Sequence, residues 1–154
     1  MRKALNIIIP ILICFFVGMT ASYFQSDAIQ TWYPILDKPS LTPPNIVFPI
    51  AWSIIYLLMG TSIGLILNSA STHKKRLSLL FTLQLLFNFS WSISFFYLQN
   101  PLLGLVNILI LDILVIFYIL KSYRVLKVSS FLFIPYLIWI AFATYLNGYI
   151  WMAN

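Results

Sequence analysis

Five apolar runs, each close to the roughly twenty residues that cross the hydrocarbon core of a bilayer, occupy most of this chain. They extend over Ala4 to Phe24, Pro44 to Asn68, Leu77 to Leu98, Leu102 to Leu120 and Val128 to Trp151. None shows the two-residue alternation of a strand, and inside a bilayer only helices and closed barrels satisfy every backbone group. Of the 154 residues 62% are hydrophobic and only 8% charged, against about a quarter charged in a soluble domain, so lipid has to serve as solvent for much of the surface. The expected fold class is all-α and integral to the membrane. It is a single bundle of five transmembrane helices with no soluble domain.

The connections between the runs carry the remaining information. Gln99-Asn100-Pro101 has room only for a tight helical hairpin. The long exception is Trp32 to Pro44, W-Y-P-I-L-D-K-P-S-L-T-P-P, where Pro34, Pro39, Pro43 and Pro44 remove backbone donors and push the residues before them away from helix. Ile35 to Thr42 is therefore expected to be an ordered, non-helical loop, with Pro43-Pro44 in the first turn of the second helix. Arg2 and Lys3 precede the first run, Lys74, Lys75 and Arg76 separate the second from the third, and Lys121, Arg124 and Lys127 separate the fourth from the fifth. Lys38 alone falls on the other side. By the positive-inside rule the N-terminus lies in the cytoplasm, and the Pro-rich loop and the C-terminus face outward. The first run is longer than the apolar part of a signal peptide and no A-x-A-like site closes it, so it reads as an uncleaved helix.

Composition also excludes functions. The formal net charge of +6 is spread over short inter-helical segments, which marks topology rather than a nucleic-acid surface. One cysteine, Cys14, and one histidine, His73, cannot assemble a metal site of ordinary spacing. Phosphate loops, nucleophile–base pairs and paired carboxylates are absent from the sequence.

What remains is aromatic and neutral-polar. Phe48, Trp52 and Tyr56 recur at i, i+4 and i+8 along one helical face. Gln84, Asn88, Trp91 or Ser92, and Phe95 form a polar-aromatic stripe on the third helix, and Trp139, Ala143 and Leu146/Asn147 share a face of the fifth. A belt at the headgroup level accounts for Trp151, Tyr149 and Trp32, but Trp52, Trp91 and Trp139 lie deeper. A mostly apolar surface with a few placed polar groups is the chemistry of a small-molecule pocket, with Asn88 orienting a polar group of the ligand. Asp112, mid-way along the fourth run, is expected to face the bundle interior, either functionally or as a neutral acid bonded to a neighbouring helix. Gly60-Thr61-Ser62-Ile63-Gly64 is a close-approach motif that serves either inside the bundle or across a dimer.

Four motifs, in this order, resemble those of the tryptophan-rich sensory protein and translocator protein family, also called peripheral benzodiazepine receptors. They are W-Y-x-x-L-x-K-P-x-x-x-P-P at Trp32–Pro44, F-x-x-x-W-x-x-x-Y at Phe48–Tyr56, N-x-x-W-S-x-x-F-F at Asn88–Phe96 and P-Y-x-x-W-x-x-F-A-T-x-x-N at Pro135–Asn147. The resemblance implies a five-helix bundle, commonly a homodimer, with a cavity beneath the first loop for porphyrins and for isoquinoline or benzodiazepine drugs. Carried onto this sequence it implies Tyr33, Pro43, Trp52, Asn88, Trp91, Trp139, Ala143 and Leu146 as ligand-binding residues. Trp52 and Trp139 are then the indoles for a light-dependent, oxidative breakdown of bound porphyrin, which is ligand or substrate and not an obligatory cofactor. Transport of tetrapyrroles or other hydrophobic small molecules is the alternative reading. The basic residue that a proposed sterol motif needs after a tyrosine in the fifth helix is missing, since Tyr145 and Tyr149 are followed only by uncharged residues. The match looks bacterial, which implies a plasma membrane.

Overall fold

The computed structural model describes residues 1–154 and contains α1 (Arg2–Thr31), α2 (Val47–Asn68), α3 (Lys74–Ser92, continued by a π-helical turn at Ile93–Tyr97), α4 (Pro101–Tyr123) and α5 (Lys127–Ala153). All five helices are long and apolar enough to cross a membrane. Packing runs from α1 to α2, α2 to α5, α5 to α4 and α4 to α3, and α3 returns to α1 to close a ring.

Successive helices run in opposite directions, so one end of the bundle gathers the start of α1, the end of α2 and the start of α3. Asn68 Nδ2 donates to the Lys3 carbonyl (2.8 Å) and Asn6 Nδ2 to Asn68 Oδ1 (2.8 Å), while Lys74 Nζ donates to the Leu67 carbonyl (2.9 Å). The α4–α5 connection lies at the same end. The eight basic residues named above all sit there, and none of the three acidic residues, Asp27, Asp37 and Asp112, does.

Gly60 and Gly64 act within the bundle. A Cβ on Gly60 would stand 2.5 Å from Ile11 Cα, and one on Gly64 would stand 2.6 Å from Ile7 Cα, so α2 lies almost backbone-to-backbone on α1. Lipid tails provide no hydrophobic drive for helix association, and such close approach supplies van der Waals contact instead. Farther along, Ser62 Oγ meets Ser129 Oγ (2.7 Å) and Tyr118 Oη (3.1 Å), joining α2, α4 and α5 through a buried hydroxyl cluster.

The other end is closed by the Pro-rich loop. Tyr33–Ile35 forms a 3-10 turn and the chain is then extended at Leu36. Lys38 folds back under its own loop, Nζ donating to the carbonyls of Tyr33 (2.7 Å), Leu36 (2.9 Å) and Pro34 (3.3 Å). Asn154 grips the same loop from α5, accepting from the Asp37 N–H (2.9 Å) and donating to the Asp37 carbonyl (3.1 Å).

Two boundaries differ from the sequence expectation. α1 continues past Phe24 to Thr31, because polar Gln25 to Thr31 ends the apolar run without ending the helix. Ala28 is held there against Phe95, Phe96 and Ile150. At α2, Pro43 and Pro44 stand before the helix rather than in its first turn; a turn closed by Val47 N–H to the Pro44 carbonyl (2.9 Å) intervenes. The π turn had no counterpart in the sequence pattern. Its Leu98 N–H to Ile93 carbonyl bond (2.8 Å) widens the helix so that Ser94, Phe95 and Phe96 are all buried. Gln99 then takes φ of 48°, and Asn100 caps α4 by accepting from the Leu103 N–H (3.0 Å).

Candidate functional site

Beneath the loop lies a cavity of about 390 Å³, enclosed by α1, α2, α3 and α5. That volume is in the range that holds drug-sized ligands. α2 contributes Trp52 stacked on Tyr56, with centroids 5.4 Å apart and planes at 24°. The α3 wall carries Trp91 stacked on Phe95, 5.5 Å apart at 13°. These two flat aromatic pairs follow from i, i+4 spacing, which sets one ring above the next on each helix face.

Neutral polar groups interrupt this apolar lining, and most are already held in place. Trp91 Nε1 donates to Asn147 Oδ1 (3.1 Å), whose Nδ2 donates to the Pro101 carbonyl (2.7 Å), fixing the indole through α5 and the α4 start. Asn88 Nδ2 donates to Tyr136 Oη (2.9 Å), which leaves Oδ1 without a protein partner on the cavity wall. Gln25 Nε2 donates to Ser92 Oγ, tying α1 to α3 across the cavity margin. No lining residue is charged. Burial beneath the loop raises the Tyr33 phenol above its ordinary value of 10.0, so the ring is neutral in any physiological medium.

Of the residues expected at the site, the structure brings together Tyr33, Trp52, Asn88, Trp91, Ala143 and Leu146 on the cavity wall. Pro43 and Trp139 lie outside the lining. Trp139 stands one layer back, edge-on to Trp52 at 6.5 Å and 84° and to Phe48 at 5.8 Å, so it supports the Trp52 indole rather than facing the cavity. Asp112 is also off the cavity. It is half-buried between helices, where Oδ2 accepts from Thr144 Oγ1 (2.8 Å) and links α4 to α5, and Oδ1 is shielded without a partner. Of the two expectations for Asp112, the hydrogen bond to a neighbouring helix is the one the structure shows.

Sequence reading missed the wall built by α1, namely Phe15, Gly18, Ser22, Gln25 and Ile29. The signal was present as small and polar residues, Gly18, Ser22 and Gln25, recurring on one face of an otherwise apolar run. Gly18 is required there: a Cβ would stand 2.2 Å from Tyr56 Cε2. Met19 and Ser22 on α1, and Pro49 and Ser53 on α2, line the cavity and are also exposed, so it opens sideways between these two helices.

The fold and the site together define a class: a multi-pass membrane protein whose helices enclose an uncharged, aromatic-walled, ligand-sized cavity under an ordered loop. The TspO/MBR family model matches residues 10–152, and the chain belongs to that family. Among its relatives, the Tryptophan-rich protein TspO of Archaeoglobus fulgidus is 42% identical over 150 residues, 97% of each chain. The protein of the same name from Chlorobaculum tepidum is 38% identical over 156 residues, 99% of this chain and 98% of its own. The human Translocator protein is 32% identical over 148 residues, 94% of this chain and 85% of its own.

Proposed function

We propose that this protein is a membrane receptor for porphyrins of the protoporphyrin IX type, and that the same cavity takes isoquinoline and benzodiazepine-type drugs. The observation that carries the reading is the pairing of two flat aromatic stacks, Trp52–Tyr56 and Trp91–Phe95, around a space without a charged side chain. A planar, apolar macrocycle gains burial and ring contact on such walls. Its carboxylates have no cation to meet inside, so they remain at the mouth beneath the loop. The free Oδ1 of Asn88 accepts a ring or amide N–H. With the basic end in the cytoplasm the cavity lies in the outward half of the bundle and opens sideways between α1 and α2, in the plasma membrane of a bacterium.

Illumination adds a second activity to the proposal. A porphyrin excited in the presence of oxygen, lying against the oxidisable Trp52 indole with Trp139 at its edge, is broken down oxidatively without any acid–base residue. The test is a titration of purified protein with protoporphyrin IX, followed by absorbance in the dark and under light. Trp52→Phe and Trp139→Phe are compared with wild type. Saturable binding weakened more by Trp52→Phe than by Trp139→Phe is expected, because only the first indole faces the cavity. Binding by Trp52→Phe equal to wild type refutes the stacking role. A light-dependent product lost in both variants while binding survives supports turnover; fading no faster than free porphyrin eliminates it and leaves a receptor.

A further inference from the structure

The basic end of the bundle holds a second feature, far from the cavity. An open groove of about 540 Å³ lies where α4 ends and α5 begins. Phe117, Ile119, Leu120 and Tyr123 of α4 and Phe131 and Ile134 of α5 supply its apolar lining, and Lys121, Arg124 and Ser130 its polar part. Phe117, Leu120, Tyr123 and Phe131 are each about half exposed (49%, 58%, 46% and 55%), so the apolar surface is presented outward rather than packed. Neither Lys121 nor Arg124 has an ion pair, and no acidic residue exists at this end to provide one. Lys127, at the start of α5, stands 5.4 Å from the centre of the Tyr123 ring and adds a third positive charge beside the groove.

We infer that this groove is a binding site for an anionic phospholipid of the leaflet that borders the basic end. Its position at the helix termini sets Lys121 and Arg124 at headgroup depth. The apolar rings and aliphatic side chains continue from them toward the hydrocarbon. One acyl chain occupies the apolar floor, and the phosphate meets the two unpaired cations. The combination matches a lipid better than a free anion, because phosphate alone would leave the exposed Phe117, Leu120 and Phe131 surface uncovered. Basic pockets between transmembrane helices recognise acidic headgroups by this arrangement.

The test uses the full chain in nanodiscs of phosphatidylcholine containing a minor fraction of phosphatidylglycerol, with retained lipids counted by native mass spectrometry after transfer to detergent. Wild type is expected to retain one phosphatidylglycerol in preference to phosphatidylcholine. The double variant Lys121→Gln with Arg124→Gln should weaken that retention about thirtyfold, the effect of removing two interfacial basic residues. Lys75→Gln with Arg76→Gln removes the same charge at the same end and should leave retention unchanged. Ile134→Trp, which fills the groove and keeps both cations, should also lose the lipid. Equal loss in the Lys75/Arg76 variant reduces the effect to diffuse end charge and overturns the site. So does retention of phosphatidylglycerol no better than phosphatidylcholine by wild type, or displacement of the lipid by inorganic phosphate at equal concentration.

Discussion

Replacing Gly18 by alanine tests the link between α1 and the cavity floor. The new Cβ would stand 2.2 Å from Tyr56 Cε2, 2.7 Å from Cζ and 2.9 Å from the hydroxyl. Ordinary van der Waals contact begins near 3.4 Å, so the ring has to retreat by roughly 1.2 Å. It has little freedom to do so. Tyr56 is 7% exposed, is stacked on Trp52 at 5.4 Å and meets Phe15 edge-on at 5.9 Å. Overpacking of this kind costs about 1–3 kcal/mol. If Tyr56 moves and takes Trp52 with it, a flat ligand loses one good aromatic contact, about 0.5–1.5 kcal/mol, or two- to tenfold in affinity. Gly148→Ala is the matched control, because a Cβ there first meets Leu105 Cδ1 at 3.9 Å. Thermal unfolding in detergent and protoporphyrin IX titration by tryptophan quenching would be run on both variants. A Gly18→Ala protein as stable and as tight-binding as Gly148→Ala would refute the claim that α1 shapes the site through this contact.

Other perturbations have equally definite outcomes. Asn147→Ala leaves the Trp91 indole N–H unpaired at a residue only 1% exposed and removes a second bond to the Pro101 carbonyl, and should lower stability by about 1–3 kcal/mol in denaturant titration. Lys38→Met removes the cation that holds three loop carbonyls, and should speed ligand dissociation about tenfold in stopped-flow fluorescence, since bonds to charged groups exceed neutral ones; an unchanged rate refutes the loop as a lid. The raised phenol of Tyr33 gives a pH dependence: the closed loop favours the protonated form, so its stability is constant below the free value of 10.0 and declines as pH rises past it. Tyr33→Phe should abolish that alkaline loss of ligand affinity, and a wild-type profile flat to high pH would contradict the burial argument.

Asp112 and Trp139 show what linear pattern leaves to packing. Both were conspicuous because a carboxylate or a deep indole in an apolar run departs from composition. Their direction depends on which neighbour each helix acquires, and pattern does not contain that. Trp139 is turned toward Trp52 and Phe48, and Asp112 toward Thr144, because α5 packs between α2 and α4. The Gly60–Gly64 motif was ambiguous for the same reason. Only the position of Ile7 and Ile11 against it assigns it to the interior of the bundle.

Solvent, helix count and aromatic pairs were legible in the linear pattern. These follow from quantities local in the chain: the length of an apolar run, the unsatisfied backbone of any non-helical span, and the i, i+4 spacing that stacks Tyr56 on Trp52 and Phe95 on Trp91. The cavity's shape and boundary came only with the packing of the helices. The α1 wall, the π turn that buries Phe95 and Phe96 together, and the grip of Asn154 on Asp37 each depend on residues far apart in the chain meeting at one place. In lipid every helix face is apolar, so hydropathy no longer marks which side turns inward. Small residues, close approach and paired polar groups make that choice, and they act only once the helices are side by side.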